Sequence, residues 1–287
     1  MKKSQLSPYR KVYNTGMMIL LCLSTVLTCA LLVFITGYIC CKGIPGISLE
    51  FLTTSESVLK GTVGILPAIY NTLFVIILSL IIVLPLGVGA AIYLTEYARN
   101  RKLVAAIEFA TETLAGIPSI IYALVGTIIF CESLGLGKTL IAGSLTLVIM
   151  TLPTVIRNTQ ESLKTVPQSY REGSLGLGSG KWHMIATVVL PSSMDGIVTG
   201  CILAIGRIVG ESAVLMYAAG MSTAMQNFST IEGFMKSSGA TLSVALYVFA
   251  KERADFAVAF SIATILLILT VLINFTASFA AKKLRKQ

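Results

Sequence analysis

Long apolar runs separated by short polar segments set the plan of this chain. The runs extend from about Met17 to Cys41, Ile65 to Tyr93, Leu114 to Cys131, Leu140 to Ile156, Gly196 to Ala219 and Phe256 to Ala281. A helix that crosses a bilayer needs roughly 20 mostly apolar residues. The pattern therefore predicts an all-α, polytopic membrane protein with six transmembrane helices. The third and fourth runs are the shortest. Pro85 stands inside the second run and predicts a kink there. Leu103 to Thr113 carries Glu108 and Glu112 one helical turn apart, which suits an interfacial helix or the polar start of the third span. Gly116 and Pro118 then predict a bend. The apolar piece Thr241 to Ala250 is too short to span, so it lies at the interface or re-enters partway.

Composition agrees. The chain has 287 residues, of which 55% are hydrophobic and 12% charged, against about a quarter charged in soluble domains. The net charge of +9 invites a nucleic-acid reading, but the basic residues sit in clusters at the ends of apolar runs. Lys2, Lys3, Arg10 and Lys11 form one cluster. Arg99, Arg101 and Lys102 form a second, and Arg157, Lys164, Arg171 and Lys181 a third. Lys282, Lys283, Arg285 and Lys286 close the chain. Such placement follows the positive-inside rule and puts both termini in the cytoplasm. The first run is too long for a signal-peptide core and lacks a clear cleavage site, so it reads as an uncleaved span. One His and six cysteines without ligand spacing argue against a metal centre. The turn Cys131 to Thr139, CESLGLGKT, approaches a phosphate-binding loop. Glu132 stands where the first Gly belongs, no strand precedes it, and it falls on the outer side. It reads as a tight connection between spans.

Ser169 to Pro191, SYREGSLGLGSGKWHMIATVVLP, is the most polar and glycine-rich segment between long apolar runs. Ser169 and Glu172 form a capping-box pattern that predicts a helix start. Gly173, Gly176, Gly178 and Gly180 predict an early stop, since each helical Gly costs about 1 kcal/mol relative to Ala. A second short helix is expected over Lys181 to Val189, ending before Pro191. Ser192 and Asp195 then read as a cap opening the fifth span. The expected product is two short cytoplasmic helices joined by a glycine hinge.

Arg207 and Glu211 lie within the fifth apolar run. Charged residues at membrane depth cost about 2.5–3.5 kcal/mol on insertion scales and usually face a bundle interior. If the helix is continuous, their spacing places both on one face. One reading is a polar point on a translocation path, with Arg207 attracting an anion and Glu211 holding or releasing it. The other is an internal ion pair. Gly206 and Gly210, like Gly196 and Gly200, have the spacing that permits close helix approach.

The loop resembles the EAA loop of binding-protein-dependent ABC importer permeases, E-A-A-x3-G-x9-I-x-L-P. Glu172, Gly173 and Ser174 occupy the E-A-A positions, Gly178 the glycine, and Leu190 and Pro191 the end of the motif; Val188 replaces Ile. The resemblance implies that this loop docks on a separate ATPase subunit. More widely, NTL (Asn71 to Leu73), LPLGVGAAIYLTEYA (Leu84 to Ala98), ETLAGIPSIIYAL (Glu112 to Leu124), LPTVIRNTQESLKTVP (Leu152 to Pro167) and GRIVGESA (Gly206 to Ala213) resemble PstA-type permeases of phosphate ABC importers. That family implies a non-catalytic, multi-pass subunit of a prokaryotic inner membrane, without cofactor. Its permease domain would span 65–287, after a tail, first span and outer loop over 1–64. The expected partners are a PstC-like second permease, two copies of an ABC ATPase, an external phosphate-binding protein and membrane lipid, and no nucleic acid. Its substrate path would include Arg207 and Glu211. The alternatives are an importer of another oxyanion (sulfate, molybdate or tungstate) or an ion-driven secondary transporter. A role in reporting phosphate status is a further possibility of the family.

Overall fold

The computed structural model describes residues 8–57, 62–223, 233 and 236–285. Lys2, Lys3 and Lys286, which enter the charge argument, lie outside the described residues, as does part of the segment 221–255. The described chain is helical apart from one small hairpin, in which β1 (Ser55–Ser57) pairs antiparallel with β2 (Thr62–Ile65).

Helix α1 (Pro8–Gly43) is followed by a single 3-10 turn and the short α2 (Leu49–Thr53), capped by Ser48, whose Oγ accepts from the Phe51 N–H. The second span, α3 (Leu66–Ile92), runs on through Pro85 and ends in a wide π turn, Tyr93–Tyr97. Next come α4 (Arg101–Ala115) and α5 (Ser119–Gly126), the latter extended by a π turn over Thr127–Ser133. Helix α6 (Leu140–Thr165) leads to α7 (Gln168–Gly176). Helices α8 (Lys181–Met184) and α9 (Leu190–Gly210) are joined by a π turn, and α10 (Ala213–Ala218) follows. After the outer segment, α11 (Leu242–Tyr247) widens into a π turn, and α12 (Phe256–Arg285) is the last element.

Among the described residues, five helices or continuous helical stretches are long and apolar enough to cross a membrane, and a sixth crossing arises if α4 and α5 are counted together. The expected third span corresponds to α5 and its π turn, and the choice left open for the segment before it is settled by the bend. That segment is a separate helix, turned by 99° from α5. Pro118 is the cause: its ring disfavours helical geometry in the residue before it, and it adopts an extended conformation ahead of α5. The Tyr122 hydroxyl donates across the bend to the Leu114 carbonyl at 2.8 Å. Helix α4 then lies along the end of α6, where Glu108 pairs with Lys164 at 3.0 Å and Glu112 with Arg157 at 3.6 Å. This is the interfacial reading.

Helix α6 is the centre of the bundle, in contact with α3, α4, α5, α9 and α10. It buries Leu140, Leu147 and Met150 together with Ser144, Thr146, Thr151, Thr159 and Gln160. Its Thr hydroxyls donate to carbonyls a turn back, as Thr146 does to Ala142 and Thr151 to Leu147. Polar side chains satisfied in this way can be buried cheaply. The main core joins Val75 and Ile76 of α3, Tyr122 of α5, Leu147 and Met150 of α6, Ile205 and Ile208 of α9, Leu215 of α10 and Val244 of α11.

The piece around α11 is buried against α3 and α12. The Leu242 N–H donates to Thr72 Oγ1 at 2.9 Å, and Asn71 Nδ2 donates to the Ala240 carbonyl at 3.0 Å. Irregular backbone at membrane depth needs such partners. Helix α1 is the opposite case. It meets α12 mainly at its C-terminal end, where Thr264 Oγ1 donates to the Ile39 carbonyl at 3.2 Å and Ser261 Oγ to that of Gly43 at 3.0 Å.

Candidate functional site

The polar loop forms a helix, a hinge and a second helix, but both ends differ from the sequence expectation. Helix α7 begins at Gln168, after an extended Pro167, so Ser169 lies inside its first turn and makes no cap. The expected capping box of Ser169 and Glu172 is absent because Pro167, with φ already fixed, starts the helix one residue earlier. Glu172 is exposed, as are Gly173 and Gly178, with Ser174 half-buried. The hinge sits at Gly178, whose φ of +84° favours glycine. Ser174 and Ser179 close it: their hydroxyls lie 2.7 Å apart, and Ser179 Oγ also donates to the Ser174 carbonyl at 2.8 Å.

Pro191 does not end the second helix. The chain is continuous from Lys181 to Gly210, with Leu190 and Pro191 opening the regular part of the span. The wide turn Ile185–Val189 leaves room for the Pro191 ring, which in a tight α turn meets the carbonyl four residues back. Ser192 is correspondingly no cap; its hydroxyl donates back to the Val188 carbonyl. The loop also presents large apolar side chains to solvent, namely Tyr170, Leu175, Leu177 and Trp182, with Leu177 91% exposed.

Arg207 and Glu211 are not on one helical face. Helix α9 stops at Gly210, and Glu211 is extended, with φ −78° and ψ 118°. Its carboxylate Oε1 accepts from the Val214 N–H at 3.2 Å, and its carbonyl accepts from Ser243 Oγ at 2.8 Å. The side chain thus serves a free N–H at the start of α10, as such helix starts require. The half-buried Arg207 donates through Nη1 to Thr154 Oγ1 of α6 at 3.3 Å. Among the described residues no ion pair joins Arg207 to Glu211. The internal ion pair is therefore corrected, because the helix break turns the carboxylate to the backbone of α10.

The two glycine pairs of α9 also part company. A Cβ on Gly196 would stand 2.7 Å from Ser162 Cβ, and one on Gly200 2.9 Å from Asn158 Cβ, so this pair is pressed against α6. Around Gly206 and Gly210 the space is open. With Thr199 and Leu203 they form an exposed stripe along α9.

With this geometry in hand, comparison with known proteins is decisive. Residues 83–286 match the family described as binding-protein-dependent transport system inner membrane component. The chain belongs to that family. The permease is 36% identical over 209 residues to the probable ABC transporter permease protein YqgI of Bacillus subtilis, covering 73% of this chain and 71% of that one. It is 35% identical over 228 residues to the phosphate transport system permease protein PstA 1 of Mycobacterium tuberculosis H37Rv, covering 78% and 72%. With PstA of Haemophilus influenzae it shares 31% over 246 residues, covering 84% and 83%. Among solved structures, a chain of a bacterial alginate ABC transporter in complex with a periplasmic protein superposes with a TM-score of 0.68 at 13% identity, over 98% of this chain and 99% of that one. A chain of the MetNI methionine ABC transporter gives 0.57 at 20%, over 77% and 94%. At these identities the likeness speaks to the fold, which is that of an ABC importer permease. The permease is thus a multi-pass inner-membrane protein, as its apolar helices require.

One contact of the loop is not legible in the sequence. Arg171, beside Glu172, reaches back to Glu96 at the end of α3, with Nη2 at 2.8 Å and Nε at 3.0 Å from Oε1. A lone acid after an apolar run looks like any interfacial charge, and 75 residues separate the two.

Proposed function

We propose that this permease is the PstA-type subunit of an ATP-driven phosphate importer, pairing with a PstC-like permease to enclose the path. Two copies of a separate ATPase would dock from the cytoplasm, where both termini lie, and carry all of the hydrolysis. An external binding protein would deliver phosphate. The observation that carries the reading is the exposed helix–hinge–helix between α6 and α9, in a chain whose curated relatives include several named for phosphate transport.

Glu172, Gly173 and Ser174 form the docking helix, Gly178 its hinge, and Leu190 and Pro191 the link into α9. Exposed Tyr170, Leu177 and Trp182 suit a surface covered by a partner, since aromatic side chains are favoured at interface cores. Arg207 serves as the anion-attracting point on the path. Its planar guanidinium suits phosphate oxygens, and among the described residues it bonds to the Thr154 hydroxyl at 3.3 Å and pairs with no acid. Glu211 contributes by holding the break between α9 and α10.

The test is phosphate uptake into liposomes carrying the complete importer. The wild type takes up phosphate with ATP. Glu172→Lys loses ATPase on co-purification. Arg207→Gln keeps the assembly and loses uptake. Normal uptake by Arg207→Gln would make that residue structural, and uptake of sulfate or molybdate with phosphate ignored would overturn the substrate.

A further inference from the structure

Helix α7 has no buried residue. The second arm of the loop is different, since Met184, Ile185 and Val189 pack with Ala91, Ile92 and Leu94 of the α3 end and with Ile156 and Leu163 of α6. A cavity lined by Thr95, Glu96, Gln168, Arg171, Lys181 and Met184 lies under the loop. Helix α7 meets α8 and the turn Ile185–Val189, and its direct tie to the ends of α3 and α6 is the side chain of Arg171. The Arg171 guanidinium donates to Glu96 Oε1 through Nε and Nη2, to the Val166 carbonyl at 2.7 Å through Nη1, and to the Leu163 carbonyl at 2.9 Å through Nη2. The two carbonyls belong to the end of α6, where helical carbonyls lack partners and a cation is favoured. The Arg171 side chain is 11% exposed and that of Glu96 7%, so their attraction is stronger than that of a surface pair.

Glu96 is held from the other arm as well. Lys181 Nζ donates to its backbone carbonyl and lies 4.8 Å from the centroid of the Tyr97 ring. Both sides of the Gly178 hinge thus converge on one residue of the π turn Tyr93–Tyr97.

We infer that Glu96 and Arg171 are positioning residues for coupling: their pair fastens the docking helix to the inner ends of α3 and α6, so that movement of α7 moves those spans. The inference rests on the proposed importer function for its setting. It follows that the pair contributes little to ATPase docking, which uses the outer face of α7, and much to the transfer of motion. The fork of Arg171 matters beyond its charge, because it serves three acceptors that a lysine ammonium cannot reach in the same geometry.

The experiment compares wild type, Glu96→Gln, Arg171→Lys and Arg171→Ala in the complete importer. Uptake and ATP hydrolysis are measured on the same liposomes. In Glu96→Gln and Arg171→Ala the ATPase still co-purifies and hydrolysis stays within about twofold of wild type. Substrate moved per ATP falls on the order of tenfold, within the usual range of coupling between sites, and Arg171→Lys lies between. Unchanged transport per ATP in both variants overturns the inference, and so does loss of the ATPase on purification, which would make the pair part of the docking surface. A second measurement needs no transported substrate. Hydrogen exchange of the detergent-purified complex is followed with and without ATP and vanadate. In wild type, trapping changes protection in α7 and in Tyr93–Tyr97 together; in Glu96→Gln it changes α7 alone. A turn that responds equally in the variant overturns the inference. Failure of wild type to move phosphate, by contrast, concerns only the substrate assignment.

Discussion

Helices α1 and α6 are both membrane spans, and they are built on opposite terms. Helix α1 is the more apolar, yet 0% of its most apolar stretch is buried by the rest of the chain; for the less apolar α6 the share is 67%. In water this order would be perverse. In a bilayer, hydrocarbon solvates apolar side chains as well as protein does, so association rests on close packing and hydrogen bonds. The centre of the bundle is accordingly the helix with Ser144, Thr146, Thr151 and Gln160, while α1, as apolar as any of the spans, stands at the edge. Apolarity in this permease marks compatibility with lipid and says little about depth in the fold.

The contrast breaks most readily at the contact between α9 and α6. Gly196→Leu forces a side chain into Ser162. Overpacking of this kind costs about 1–3 kcal/mol or more, and the variant should fail to give a monodisperse peak on size exclusion in detergent. Comparable in size is Leu147→Ala in α6, a fully buried position, with an expected loss of about 2–5 kcal/mol, visible as a lowered thermal midpoint of the purified chain. The matching change in α1, Leu27→Ala, removes a side chain that is 66% exposed and should stay within about 0.5 kcal/mol. Equal losses at the two positions would show that α1 is packed against protein. Last is Gly206→Ala on the open stripe of α9, which should not lower that midpoint, because nothing stands within contact distance and helix propensity favours Ala by up to about 1 kcal/mol. A drop with this variant only in the assembled importer would place a partner on the stripe.

Much of this was legible in the chain, for separable reasons. The spans follow from apolar length, which is a property of each segment alone. The hinge at Gly178 follows from a backbone conformation that favours glycine. The bend at Pro118 follows from ring sterics. Three features were not legible. The helix continues through Pro191 because a π turn precedes it, and no residue type announces such a turn. Glu211 leaves the helix because its carboxylate finds the Val214 N–H, a choice between local partners that spacing cannot rank. Arg171 finds Glu96 through the packing of three helices, and neither residue departs from its surroundings in sequence.

The attachment of α1 bears on how the permease is made. Its principal contact is α12, formed by Gly43, Ile39 and Tyr38 against Phe260, Ser261 and Thr264. A ribosome delivers α1 well before α12, at about 5–20 residues per second, so α1 spends the interval among lipids with no helix to lean on. A segment with that schedule has to hold its place across the bilayer unaided, and its uninterrupted apolar surface lets it wait.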